Sequence, residues 1–158
     1  MLRELLKDTF AYIQPTAALS GLSDDDAGQR LPGAPHSIVE IVAHLAFWQD
    51  WLLARCRGEA LPMVGAAREG WPAAGPSDWS AVRSRFEEGI EAATALSDDE
   101  ARIARPVAPA IEFPPLAAYT IREALTHVAV HNAHHLGQVV TLRQLMGKWP
   151  PPSGSWTW

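Results

Sequence analysis

The stretch TIREALTHVAVHNAHHLGQVVTLRQLMG, residues 120–147, decides how this chain is read. Ile121, Leu125, Val128, His135, Val139, Leu142 and Met146 recur at the intervals of one helix face. Thr120 and Glu123 form a T-x-x-E capping box at the start, and Gly147 stands where a helix stops. The pattern predicts one long helix. Inside it His127, His131 and His135 follow one another every four residues, so successive imidazoles share a side of the helix. Scattering 6 histidines over 158 residues gives about 0.2 such pairs by chance, and this stretch holds two. Two neutral imidazoles one turn apart can bind the same divalent cation, and a third ligand from elsewhere would leave a coordination position open to water or substrate. The competing explanations are a His-rich surface turn and core imidazoles bonded to backbone carbonyls.

Helical phase separates the histidines. At about 100° per residue with Ile121 as zero, Val128, His135, Val139 and Met146 lie within roughly 40° of the apolar centre and His131 about 80° to one side. His127 falls at about 120° and His134 at about 140°. His131 and His135 are therefore the better inward pair, His127 is a supporting or alternate ligand, and His134 belongs at the surface or a helix interface.

The pair needs a third ligand, and a second helix supplies one. Ser37 and Glu40 make another capping box, followed by Ile38, Ile41, Val42, Leu45, Trp48, Leu52 and Cys56 on one face down to Gly58. His44 sits roughly 60° from that face's centre, towards the interior. It is the natural third ligand, whereas His36, ahead of the cap, is expected at the surface.

Elsewhere, Leu2, Leu5, Leu6, Phe10, Ile13 and Ala17 predict a first helix over 2–19, with Pro15 the point where it kinks or ends. Residues 20–36 read as a loop whose Asp24-Asp25-Asp26 run is solvated. Pro62, Gly65, Gly70, Pro72, Gly75 and Pro76 make 59–76 a long crossover, with Trp71 an anchor to the core. Ser77 caps a third helix through Trp79, Val82, Phe86, Ile90, Ala93 and Leu96, and Ser97-Asp98-Asp99-Glu100 starts a short turn. Pro106, Pro109, Pro114 and Pro115 mark another loop. The tail 148–158, with three successive prolines, is extended, leaving Trp156 and Trp158 to pack on the bundle or a partner. No segment alternates as a strand does. The expectation is an all-α single domain over 1–158, a four-helix bundle with two long crossover loops.

Composition narrows the function classes. A hydrophobic fraction of 47% with 20% charged residues is ordinary for a globular protein. A net charge of -5, with 13 Lys+Arg forming no stripe, argues against nucleic acid. The single cysteine, Cys56, excludes an intrachain disulfide, and the N-terminus lacks the long apolar run of a signal peptide or membrane span, so a cytoplasmic location is expected. Cys56 reads as an inert buried thiol, and Trp48 and Trp79 as core. Seven tryptophans in a small chain, with an apolar tail, suggest a homodimer.

His131-Asn-Ala-His-His135-Leu-Gly137-Gln138, the run on to Gly147, and Trp149-Pro-Pro-Pro-Ser-Gly resemble the last helix and tail of the DinB-like family of metal-binding helical bundles. Ile41-Val-Ala-His44-Leu resembles its other ligand helix. The resemblance implies a divalent metal held by one histidine of the second helix and an H-x3-H pair of the last, which fall on His44, His131 and His135. Characterised relatives include thiol S-transferases and an isomerase that use low-molecular-weight thiols, so it also implies a small-molecule substrate and a metal that activates a thiol or water. Zinc suits three nitrogens with an open position, and the ligand type also admits nickel. Glu40, Asn132 and Gln138 are candidates to orient an imidazole or substrate, beside their plainer roles in capping and surface polarity. Two readings stand: a metal-dependent S-transferase or hydrolase, and a metal-binding sensor or interaction bundle without turnover.

Overall fold

Every regular element among the residues described by the computed structural model, 1–7 and 13–155, is helical; no strand occurs among them, and one isolated bridge joins Pro106 to Thr120. The helices are α1 (Leu2–Lys7), α2 (Pro15–Leu19), α3 (Asp24–Gly28), α4 (Ile38–Cys56), α5 (Trp79–Ser97), α6 (Glu100–Ile103) and α7 (Ile121–Leu145), with short 3-10 turns at Ala67–Gly70, Pro76–Asp78 and Pro114–Leu116.

The two long helices that carry histidine begin where their capping residues require. The Glu40 carboxylate accepts from Ser37 N at 2.7 Å and Ser37 Oγ at 2.9 Å, and that of Glu123 accepts from Thr120 N at 2.6 Å and Thr120 Oγ1 at 2.7 Å. Each holds an orphan backbone donor at the helix mouth. After α7, Gly147 takes φ +68°, the left-handed turn that a residue without Cβ adopts cheaply.

Three expectations need correction. The helix expected over 2–19 is not continuous: Gln14 is extended, with ψ 139°, and Pro15 opens a new helix. Proline forces its predecessor out of helical geometry, and its missing N–H costs nothing at a helix start. Phe10, expected on that helix, lies outside the described residues. The Asp24-Asp25-Asp26 run is not loop but the first turn of α3, where Ser23 Oγ accepts from Asp26 N at 3.1 Å and carboxylates oppose the positive helix end. Ser77 does not cap α5; it lies inside the 3-10 turn before it, and Asp78 Oδ2 accepts from Gly75 N at 2.8 Å instead.

Helix α4 packs on α5 and α7, while α1 and α2 each touch both α5 and α7. The core falls into two apolar clusters. One holds Leu6, Trp51, Leu52, Ile103, Leu125 and Val128; the other holds Leu19, Ile38, Leu45, Phe86, Ile90 and Val139. Polar residues occupy the seam where α4 and α7 pass from one cluster to the other. Asn132 Nδ2 donates to Gln49 Oε1 at 3.0 Å, and Gln49 Nε2 donates to Phe86 O at 2.8 Å, so an amide relay ties α7 through α4 to α5. Gly89 makes room for it: a Cβ there would stand 2.0 Å from Gln49 Nε2.

The C-terminal segment is fastened by the fully buried Arg143, whose guanidinium donates to the carbonyls of Ala18, Ser20 and Lys148 and lies 5.8 Å from the Trp149 ring. Lys148 pairs with Asp26 at 3.1 Å. Trp156 and Trp158 lie outside the described residues. Trp51 and Trp79 are buried and Trp48, Trp71 and Trp149 half-buried. No described helix is long and apolar enough to cross a membrane.

Candidate metal centre

At the seam, His44 projects from the middle of α4 and His131 and His135 from successive turns of α7. One ring nitrogen of each lies within 4.8 Å of the other two. The Nε2 atoms of His44 and His131 are 3.2 Å apart, and the ring centroids of His135 stand 4.7 Å from both partners. His44 and His135 are buried and His131 half-buried.

Neighbours set which nitrogen faces inward. A carbonyl oxygen only accepts, so the 2.6 Å bond between His44 Nδ1 and Gly70 O places the hydrogen on Nδ1 and leaves a lone pair on Nε2 of the neutral ring. His135 Nδ1 donates to Gln138 Oε1 at 2.8 Å, with the same result. Burial, reinforced by the neighbouring imidazoles, pushes His131 down to about 3. Burial takes His44 down to about 4 against the opposing bond to Gly70, and it lowers His135 against the bond to Gln138. All three rings are thus neutral near pH 7, the form that ligates.

The crossover forms one wall. Gly70 is buried with its α-carbon against Trp48, where a Cβ would stand 2.6 Å from the indole nitrogen. The next residue, Trp71, stacks on His44 at 3.8 Å between centroids and 10° between planes, and on His36 with the same values. Two rings so placed lie on opposite faces of one indole, so Trp71 is sandwiched between them. His36 is half-buried there and not free at the surface as expected.

The remaining candidates sort by contact. His127 lies outside the cluster; its Nδ1 meets Tyr119 Oη at 3.1 Å. His134 is exposed. Gln138 orients His135, as one of its two readings anticipated. Asn132 faces the relay to Gln49 and not the centre, and Glu40 is spent on the α4 cap and an ion pair with Arg30. Cys56 is buried, with burial raising its thiol to about 11, which leaves it protonated and unreactive. Sequence reasoning missed Gly70 and the pairing of Trp71 with two imidazoles. A Gly-Trp step inside the breaker-rich crossover is the local trace of either.

Two clefts reach the cluster. One, of about 480 Å³, lies between residues 31–36 and the C-terminal half of α7 and has His135 in its wall. The other, of about 620 Å³, lies along the N-terminal half of α7 and has His131 and His127 in its wall. His135 and His131 thus each border open space on a different side of the cluster.

No curated protein and no solved structure gives a significant match to this chain. The sequence pattern of the DinB superfamily matches residues 14–139, a span that runs from before α2 into the last third of α7 and includes His44, His131 and His135. With most of its length matched in this way, the chain belongs to the DinB superfamily.

Proposed function

We propose that this protein is a divalent-metal-dependent enzyme in which His44, His131 and His135 hold one zinc or nickel ion and a low-molecular-weight thiol or water attacks an electrophile. The observation that carries the reading is the convergence of three neutral imidazoles, two with their outer nitrogens already bonded to Gly70 and Gln138, beside open clefts. The donor spacing suits the ion: two nitrogens bound to one tetrahedral zinc sit about 3.3 Å apart, and those of His44 and His131 are 3.2 Å apart. No carboxylate or thiolate joins the cluster among the described residues, so its ligands are neutral.

When bound, the ion supplies a Lewis acid with an exchangeable position, which lowers the pKa of a thiol or water there. The chain's own groups do the rest. Gly70 O and Gln138 Oε1 hold two rings in the ligating tautomer. Trp71 covers one face of His44 and excludes water from it. His131, the least buried of the three, leaves the side towards the clefts accessible.

The same reading takes the chain as one four-helix bundle in which α1 and α2 together stand in the fourth position, supported by their packing on both α5 and α7. The test is elemental analysis of the purified protein, followed by assay of the metal-loaded form against thiols with electrophilic acceptors and against a hydrolase panel. Metal-dependent turnover in one panel, lost in His44→Ala, is expected. A bound ion with every position filled by protein atoms and no turnover in either panel would move the protein to a non-catalytic metal-binding role.

A further inference from the structure

The cleft beside His135 has a direction. On α7 its wall runs from His135 through Gln138, Thr141 and Leu142 to Leu145, ten residues or about 15 Å along the helix axis. Its polar side chains are His36, His135 and Gln138 at the metal end, the last two bonded to each other, and Thr141 midway, whose hydroxyl is spent on Gly137 O at 3.0 Å. The far end is aliphatic, with Leu31 and Leu142 in the wall and Leu145 72% exposed beyond them. No Lys, Arg, Asp or Glu lines the cleft, whereas the cleft beside His131 carries Arg122 and Glu123. An apolar channel that starts at a ligating imidazole and ends on an exposed leucine fits a narrow molecule with one polar end.

We infer that this cleft binds the electrophilic substrate of the centre, and that this substrate is a small linear amphiphile with its polar head at His135 and His36 and an uncharged alkyl or acyl body lying along α7 to Leu145. The inference rests on the metal-enzyme reading for the head group and on the cleft alone for the body. His36 then helps to position the head: Trp71 holds its ring at the metal end of the cleft, and that ring lies outside the ligand cluster. The second cleft is left for the thiol or water.

The probe is a series of straight-chain alkyl hydroxamates, from acetohydroxamate to octanohydroxamate, titrated into cobalt-loaded protein and followed by the visible absorption of the ion. Each methylene buried against the leucines should tighten binding about fourfold until the channel is filled. Thr141→Trp, at an exposed helix position in mid-channel, should abolish that gain and keep the acetohydroxamate affinity, while Val130→Trp in the other cleft should change neither. A flat series, or a gain lost in Val130→Trp and kept in Thr141→Trp, overturns the inference. Should acetohydroxamate leave the cobalt spectrum unchanged, the exchangeable position falls, and the channel is judged on octanoate added to metal-free protein. Amide shifts confined to 31–36 and 137–145 then support it, and their absence overturns it.

Discussion

The Nε2 atoms of His44 and His131 face one another at 3.2 Å across the α4–α7 interface, and the hydrogen of His44 is already committed on its other side to the Gly70 carbonyl. Two ring nitrogens at that distance need a shared proton or a cation between them. A cation satisfies His135 as well. One divalent ion per chain is expected, and His44→Ala, His131→Ala or His135→Ala should each remove most of it by elemental analysis. His127→Ala, whose ring is bonded to Tyr119, should retain it; an equal loss there would shift the ligand set towards His127 and His131.

Orientation of the rings should be measurable apart from their presence. Gln138→Ala removes the acceptor of His135 Nδ1 from an exposed position, and loss of such a bond typically costs ten- to hundredfold in metal affinity. Competition with a chromophoric chelator reads this directly. Gly70→Ala should cost at least as much, because its Cβ collides with Trp48 and displaces the carbonyl that holds His44. Wild-type affinity in Gln138→Ala would mean that packing alone orients the ring.

The depressed imidazoles set a pH window for the metal-free protein. His44 and His131 titrate at about 4 and about 3 in the fold, against 6.5 for the free group, so between 6.5 and these values the unfolded chain binds protons that the native one does not. Stability is then fully present above 6.5 and declines as pH falls to about 3. Urea midpoints should fall steadily through this window, and less steeply in His131→Leu. At His44 and His131 protons compete with the ion only near the native values, so metal affinity should fall more gradually below pH 6.5 than it would for three free imidazoles, with His135, which burial also lowers, setting where the fall begins. A fall as steep as three free imidazoles give would contradict those values.

Gly89 offers a test of the amide relay. In an open helix, alanine for glycine gains about 1 kcal/mol. Here the new methyl would meet Gln49 Nε2 at 2.0 Å, with Gln49 itself held by Phe86 and Asn132. Overpacking of this kind costs about 1–3 kcal/mol, so Gly89→Ala should be destabilising in denaturant melts. Gly89→Ala combined with Gln49→Ala should recover part of the loss, since the second change removes the atoms in collision.

What the sequence reveals and what it hides divide along the range of the interactions. Helices α4 and α7 are legible because their caps are local: Ser37 with Glu40, and Thr120 with Glu123, lie three residues apart. The inward phase of His131, His135 and His44 follows from 3.6 residues per turn and needs no knowledge of the partner helix. The break at Gln14 and the short helix after Ser23 are local too, written in Pro15 and in the Ser23-x-x-Asp26 box, and a longer apolar periodicity obscured them. Gly70 and Trp71 are different in kind. Their contacts to His44 span 26 and 27 positions, out through the end of α4 and back along the crossover, where no period predicts which residue meets which. Asn132 shows the same limit in reverse, since its place beside His131 suggests the centre while its side chain turns to Gln49.

Consecutive residues grip the same imidazole: Gly70 meets His44 at its edge, through the carbonyl, and Trp71 meets it on its face. One fixes rotation of the ring in its plane and the other its tilt, so the register between them admits no insertion. Anyone moving this centre to another helical scaffold would have to carry the Gly-Trp step along with the three histidines. A transplant made of the helices alone would reproduce the composition of the site and leave one of its rings free to turn.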